Sequence, residues 1–173
     1  MRSGDALLEH LFRRAGFGAT AADLQAVAGM SYPEAVDYFL NFENQPDDVD
    51  ARIGSPDFVS ITTRGQFSPS SVIDDARQRW LFRMVHTRRP LQEKLALFWH
   101  NHFVSSLQKV RSPVLMYRQN QLLRKHAFGY FGDMLHDVSK DPAMVIYLDS
   151  ASNRKGQPNE NFAREVMELF TLG

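Results

Sequence analysis

Apolar side chains recur every three or four residues along most of this chain, the period of an amphipathic helix rather than the alternation of a strand. In "SGDALLEHLFRR" the stripe is Leu7, Leu8, Leu11 and Phe12, with Ser3 placed to cap its start. Two glycines in "AGFGAT" break that helix, and Thr20 then caps "AADLQAVAG", which stops at Gly29. Ser31 opens "SYPEAVDYFLN" with Glu34 three residues on, a capping-box spacing, and with Pro33 in the first turn. These segments predict a helical hairpin over residues 1–40.

Residues 41–70 show no sustained period and hold three prolines and two glycines, which predicts one long loop. Phe58, Val59, Ile61 and Phe67 within it are expected to pack down. From Ser71 the pattern predicts longer helices over about 71–86, 90–107, 112–128, 130–140, 142–149 and 159–172. Pro90, Pro113 and Pro142 each fall where a first turn begins, and proline is tolerated there because its missing N–H would have no partner. The expected fold is therefore all-α: one domain over residues 1–173, an irregular bundle of about eight helices, with 71–173 as its main body.

The stretch "LALFWHNHFVSS" raises the first chemical question. On a helix Leu95, Phe98, Trp99 and His102 fall on one side, and Ala96, Leu97, His100 and Phe103 on another, which predicts a central helix apolar nearly all round. His100 and His102 lie about 200° apart on that wheel and cannot bind one ion; an H-x-x-x-H spacing would be needed. Two buried imidazoles bonded to neighbouring helices is the preferred reading, with a single-histidine metal or acid–base role as the alternative. The helix "PVLMYRQNQLLRKHAFG" puts Leu115, Met116, Gln119, Leu122, Leu123 and His126 inward, and Arg118, Arg124 and Lys125 outward.

The last 27 residues are the most polar-dense. A Ser/Asn/Arg/Lys/Gly/Pro loop leaves an apolar helix at Asp149 and enters a final helix that Asn159 is placed to cap. On that helix Asn161, Glu165 and Glu168 align at i, i+4 and i+7, a stripe able to hold a divalent cation or supply a general base. The same stripe reads equally as a solvated face with Glu160–Arg164 and Arg164–Glu168 pairs.

Composition narrows the classes. Cysteine is absent, which removes disulfides, thiolate metal sites and a cysteine nucleophile. Arg13 and Arg14 are followed by "AGFGATAADLQ", not an apolar export region, so the expected location is cytoplasmic. The net charge of zero conceals a segregation: −7 over residues 1–75, +10 over 76–132 and −3 over 133–173. An anionic partner such as nucleic acid is one explanation of the basic block. Pairing with the acidic flanks inside the fold is preferred, since no aromatic-interleaved nucleic-acid motif accompanies it.

The strings "LFRRAGFGAT", "RRPLQEKLALFWHNHFVSS", "YRQNQLLRKHAFGYF" and "SKDPAMVIYLDSASNRKGQPNENFAREVMELFTLG" resemble the bacterial domain of unknown function 1800 family across nearly the whole chain. The resemblance implies an uncharacterised protein, and a chain corresponding to the N-terminal part of longer, often exported, relatives. The motif residues it marks are His100, Asn101, His102, Asp149, Asn153, Arg154, Lys155, Asn159, Glu160, Asn161, Arg164, Glu165 and Glu168; the family assigns them no roles.

Three functions are weighed. A helical binding or scaffold domain with a protein partner or oligomer is preferred, since there is no G-x-S-x-G, no Gly-rich phosphate cradle and no H-E-x-x-H. A metal-assisted or acid–base hydrolase-type site would draw catalytic groups from His100, His102, Glu165 and Glu168, with a divalent metal as its possible cofactor. Anion or nucleic-acid binding would use Arg118, Arg124 and Lys125. The expected binding residues are Asp149, Asn153, Arg154, Lys155, Asn159, Glu160, Asn161 and Arg164.

Overall fold

The computed structural model describes residues 3–53, 61–62 and 65–172, with side chains from residue 6 on, and none for residues 61 and 62. Ser3 begins the first helix with its side chain outside the described set; Phe58, Val59 and the Ile61 side chain also lie outside it. The fold is all-α, as the periodicity predicts. Its helices are α1 (Ser3–Ala15), α2 (Ala21–Ala26), α3 (Tyr32–Leu40), α4 (Val49–Arg52), α5 (Ile73–His86), α6 (Pro90–His102), α7 (Leu107–Val110), α8 (Pro113–Lys125), α9 (Phe131–Lys140), α10 (Pro142–Tyr147) and α11 (Asn161–Glu165). Two short strands, β1 (Ile61–Thr62) and β2 (Gly65–Gln66), pair antiparallel inside the predicted loop.

Residues 1–67 with 77–95 form one compact unit, and residues 68–76 with 96–173 a second. In the first, Leu11, Phe12, Ala15, Val27, Ala35 and Phe39 make the core, with the Phe12 and Phe39 rings edge to face at 4.9 Å. Burial of each leucine, valine or phenylalanine side chain there contributes about 1.5–3 kcal/mol. Both predicted capping boxes are present. The Thr20 hydroxyl accepts the Asp23 N–H at 3.2 Å while Asp23 accepts the Thr20 N–H at 2.8 Å, and Glu34 accepts the Ser31 N–H at 2.7 Å. Gly16 sits against Pro90 so closely that an added Cβ would lie 2.9 Å from the proline Cβ.

Four cations of the basic block find partners inside this unit. Arg79 grips Asp50 through a two-pronged contact at 2.8 and 2.5 Å. Arg83 donates to Glu93 at 2.6 Å and to Asp47 at 2.7 Å. Arg89 and Lys94 donate to the carbonyls of Gln45 and Gly16, both at 2.7 Å. These contacts order residues 43–52, which periodicity alone leaves as loop.

The second unit closes over Phe103, Leu123, Met134, Val138, Met144, Leu148 and Phe170. A polar thread crosses this core. The Ser105 hydroxyl donates to Gln119 Oε1, Gln119 Nε2 donates to Asp141 at 2.9 Å, and the same carboxylate caps α10 by accepting the Met144 N–H at 3.1 Å. Burial pushes the Asp141 carboxyl up.

Four sequence expectations are corrected. The helix expected over 90–107 ends at His102, because Phe103 turns into the core and the Ser106 hydroxyl starts a separate short helix by accepting the Gln108 N–H at 3.2 Å. That helix is not buried all round, since Phe98 is 54% exposed. Arg124, expected outward, is 6% exposed and donates to Asn120 Oδ1 at 2.8 Å. The final helix, expected to run regularly over 159–172, opens with Asn159 Oδ1 accepting the Asn161 N–H at 2.9 Å as expected, but after Glu165 it continues as a π-helix over Val166–Thr171.

Candidate functional site

The C-terminal end of α6 and the segment from Asp149 onward hold the residues marked by sequence. His102 points from α6 into an aromatic cluster of Phe98, Trp99, Phe103, Phe131 and Phe170. Its Nε2 lies 2.9 Å from the Phe170 carbonyl. A carbonyl only accepts, so Nε2 carries a proton and donates it. Backbone carbonyls near the end of a helix lack intrahelical partners, and His102 satisfies one of them. His100 faces another way, as the wheel requires, and burial holds its imidazole below the usual range, favouring the neutral ring.

The Asp149–Asn161 loop is knotted by side-chain-to-backbone bonds. Asp149 adopts a left-handed conformation at φ 57°, uncommon for a residue other than glycine. Its carboxylate meets the Lys109 ammonium at 2.6 Å, and that ammonium also lies 5.6 Å from the centre of the Tyr147 ring. The Asp149 carbonyl accepts from the Ser152 hydroxyl at 2.7 Å and from Asn159 Nδ2 at 3.1 Å. Asn153 Oδ1 accepts the Asn159 N–H at 2.6 Å, and Asn159 Oδ1 accepts the Asn161 N–H at 2.9 Å. Above this base Arg154 and Gln157 pair across a tight turn whose Gly156 needs φ 85°. Residues 151–158 are all exposed, so the turn holds out Arg154 and Lys155.

Asp149, Asn153, Asn159 and Asn161 are thus brought together, and Arg164 joins them by donating to Asn161 Oδ1 at 3.2 Å. Glu160 is exposed at the start of α11. Glu165 lies 3.7 Å from Arg164, its chain neighbour, and Glu168 is exposed. The π-helix breaks the i, i+4, i+7 stripe, because its i→i+5 bonds change the angular step between Glu165 and Glu168. The described contacts bring His102 to Phe170, not to either glutamate. Among the described residues, no group of three or more His, Cys, Asp or Glu is placed to hold a metal ion. His126, expected on an inward face, bonds Asp137 Oδ2 at 2.7 Å, which holds that carboxyl below its usual range.

Sequence reasoning missed Lys109, Ser152 and the Phe170 carbonyl. Lys109 and Ser152 carry no local signal, since what matters is the distant backbone they meet. In the first unit a groove of about 380 Å³ opens among Met30, Glu34, Asp37, Tyr38, Asn41, Asn44 and Gln45, none of them among the marked residues.

The family described as "Protein of unknown function (DUF1800)" matches residues 10–173, which include both the α6 histidines and the knotted loop. The chain belongs to the DUF1800 family. No curated protein and no solved structure matches it. Membership of DUF1800 brings no activity with it, so function has to be argued from the loop and the histidines themselves. No described helix of this DUF1800 chain is long and apolar enough to cross a membrane.

Proposed function

We propose that this DUF1800 chain is a helical binding module that docks a protein partner through the loop from Asp149 to Asn161. The observation that carries this reading is the knot at the loop's base. Asn159 makes side-chain or backbone bonds to Asp149, Asn153 and Asn161, while residues 151–158 remain exposed. A polar loop fixed before binding loses less freedom on association, and loops held on rigid helices are where recognition residues concentrate. Arg154 and Lys155 form the contact tip, and Asp149, Asn153, Asn159, Asn161 and Arg164 hold it.

The acid–base alternative has less behind it. His102 spends Nε2 on the Phe170 carbonyl, and Glu165 lies 3.7 Å from Arg164. The test is photo-crosslinking in cells from a reactive residue at position 155, with position 118 on α8 as reference. The reading expects one discrete adduct from 155 that fades when Asn159→Ala loosens the knot. Equal, diffuse labelling from both positions would reject it.

A further inference from the structure

We infer that the partner presents carboxylates to the Arg154–Lys155 tip, an inference that rests on the binding-module reading and names the chemistry its loop selects. The two cations are adjacent at the head of a turn, exposed, and lie between acidic residues: Asp149 precedes them and Glu160 follows. Asp149 is already matched by Lys109 at 2.6 Å, whereas Glu160 stands exposed. Residues 149–160 therefore carry no net charge, with the positive pair concentrated at the protruding end.

That pattern discriminates between anions. A nucleic acid is read electrostatically by an extended run of basic side chains, one phosphate after another. A two-residue cationic tip with a carboxylate at its base offers no such run and would repel a continuing polyanion. Discrete carboxylates on a protein surface fit better, because guanidinium meets carboxylate through two parallel N–H donors and ammonium adds a compact third contact. The turn is also pre-formed. Gly156 takes φ 85°, and the Arg154 and Gln157 backbones close on each other at 3.0 and 3.4 Å, so the two cations are presented without ordering the loop on contact.

The test uses the whole chain and a hexaglutamate peptide, with inorganic phosphate and a single-stranded hexanucleotide as separate arms, read by amide chemical shifts and fluorescence anisotropy. Hexaglutamate is expected to shift the 154–157 amides. The R154A/K155A variant should weaken its binding about tenfold, the scale of two exposed charge pairs. Asn159→Ala and Gly156→Ala keep both charges but disturb the turn, and should each weaken binding about threefold. Arg118→Ala should change nothing. Stronger shifts of the same amides by phosphate or the oligonucleotide would overturn the inference, as would an Arg118→Ala loss equal to that of R154A/K155A. If hexaglutamate fails while the position-155 adduct persists, the carboxylate chemistry falls and the binding module stands. If hexaglutamate binds as expected and no adduct forms, the tip selects carboxylates but the docking reading falls.

Discussion

Arg83 and Glu93 form an ion pair at 2.6 Å in which the two side chains are 2% and 0% exposed, and Asp47 reaches the other side of the same guanidinium. Desolvating such a pair costs several kcal/mol, and good geometry only balances that cost. Removing Glu93 takes the fully buried counter-charge from a buried guanidinium and leaves it with the part-exposed Asp47. Glu93→Ala should therefore destabilise by about 3–5 kcal/mol, whereas the double change Arg83→Met, Glu93→Leu should cost less than Glu93→Ala by itself. Urea unfolding of the three proteins checks this, and a double variant less stable than Glu93→Ala would sink it.

His102 holds the π-helix through one bond, so His102→Ala should cost about 1–3 kcal/mol and speed hydrogen exchange at the 166–171 amides. His102→Gln keeps an N–H donor and should recover part of the loss. A nitrogen–proton correlation spectrum of the ring should show Nε2 protonated; an Nε2 without a proton would contradict the geometry.

The pH dependence of stability follows from His100. Its folded pKa lies below the ordinary value of about 6.5, so the unfolded chain binds a proton before the folded one does. The stability that the neutral ring contributes is complete above that value and is lost as pH falls from it through the depressed folded pKa. His100→Asn should flatten this slope as pH falls below about 6.5, measured by denaturant midpoints on both sides of that value. An unchanged slope would assign it to other histidines.

Asp141 acts with the opposite sign. Burial raises its pKa, so the stability it contributes is present below the unfolded value and lost as pH rises through the folded one. Asp141→Asn removes the charge and keeps an acceptor for the Met144 N–H, so it should cost less than Asp141→Ala. The alanine loses the cap and leaves Gln119 without its acceptor, a loss of about 1–3 kcal/mol. Thermal melts near neutral pH rank the two, and equal losses would mean that the acceptor kept by asparagine contributes nothing.

Local chemistry was legible where a single residue type forces a choice. Pro90, Pro113 and Pro142 each begin a helix, and the Thr20–Asp23 and Ser31–Glu34 boxes form. The stop after His102 was not legible, because Phe103, Val104 and Leu107 continue the apolar period and only packing against Phe170 at 5.0 Å shows why the chain turns. Arg124 read as solvated because its partners, Gln121 and Asn120, lie on its own helix and look polar on a wheel. At the candidate site, the composition of the Asp149–Asn161 loop was plain in sequence. Its knot was not, since Asn159 acts through carbonyls and amides that periodicity does not see.

The π-helix over Val166–Thr171 has a bearing on which chain lengths the C-terminal segment tolerates. A ladder closing over five residues fits one more residue into each turn than a nearly regular helix allows. Deleting a single residue between 166 and 169 would let that stretch wind as an ordinary α-helix, with better local bonds. The same deletion would rotate the Phe170 carbonyl away from His102 and lift its ring from Phe103. A one-residue gap there should therefore be harder to accommodate than most side-chain replacements nearby.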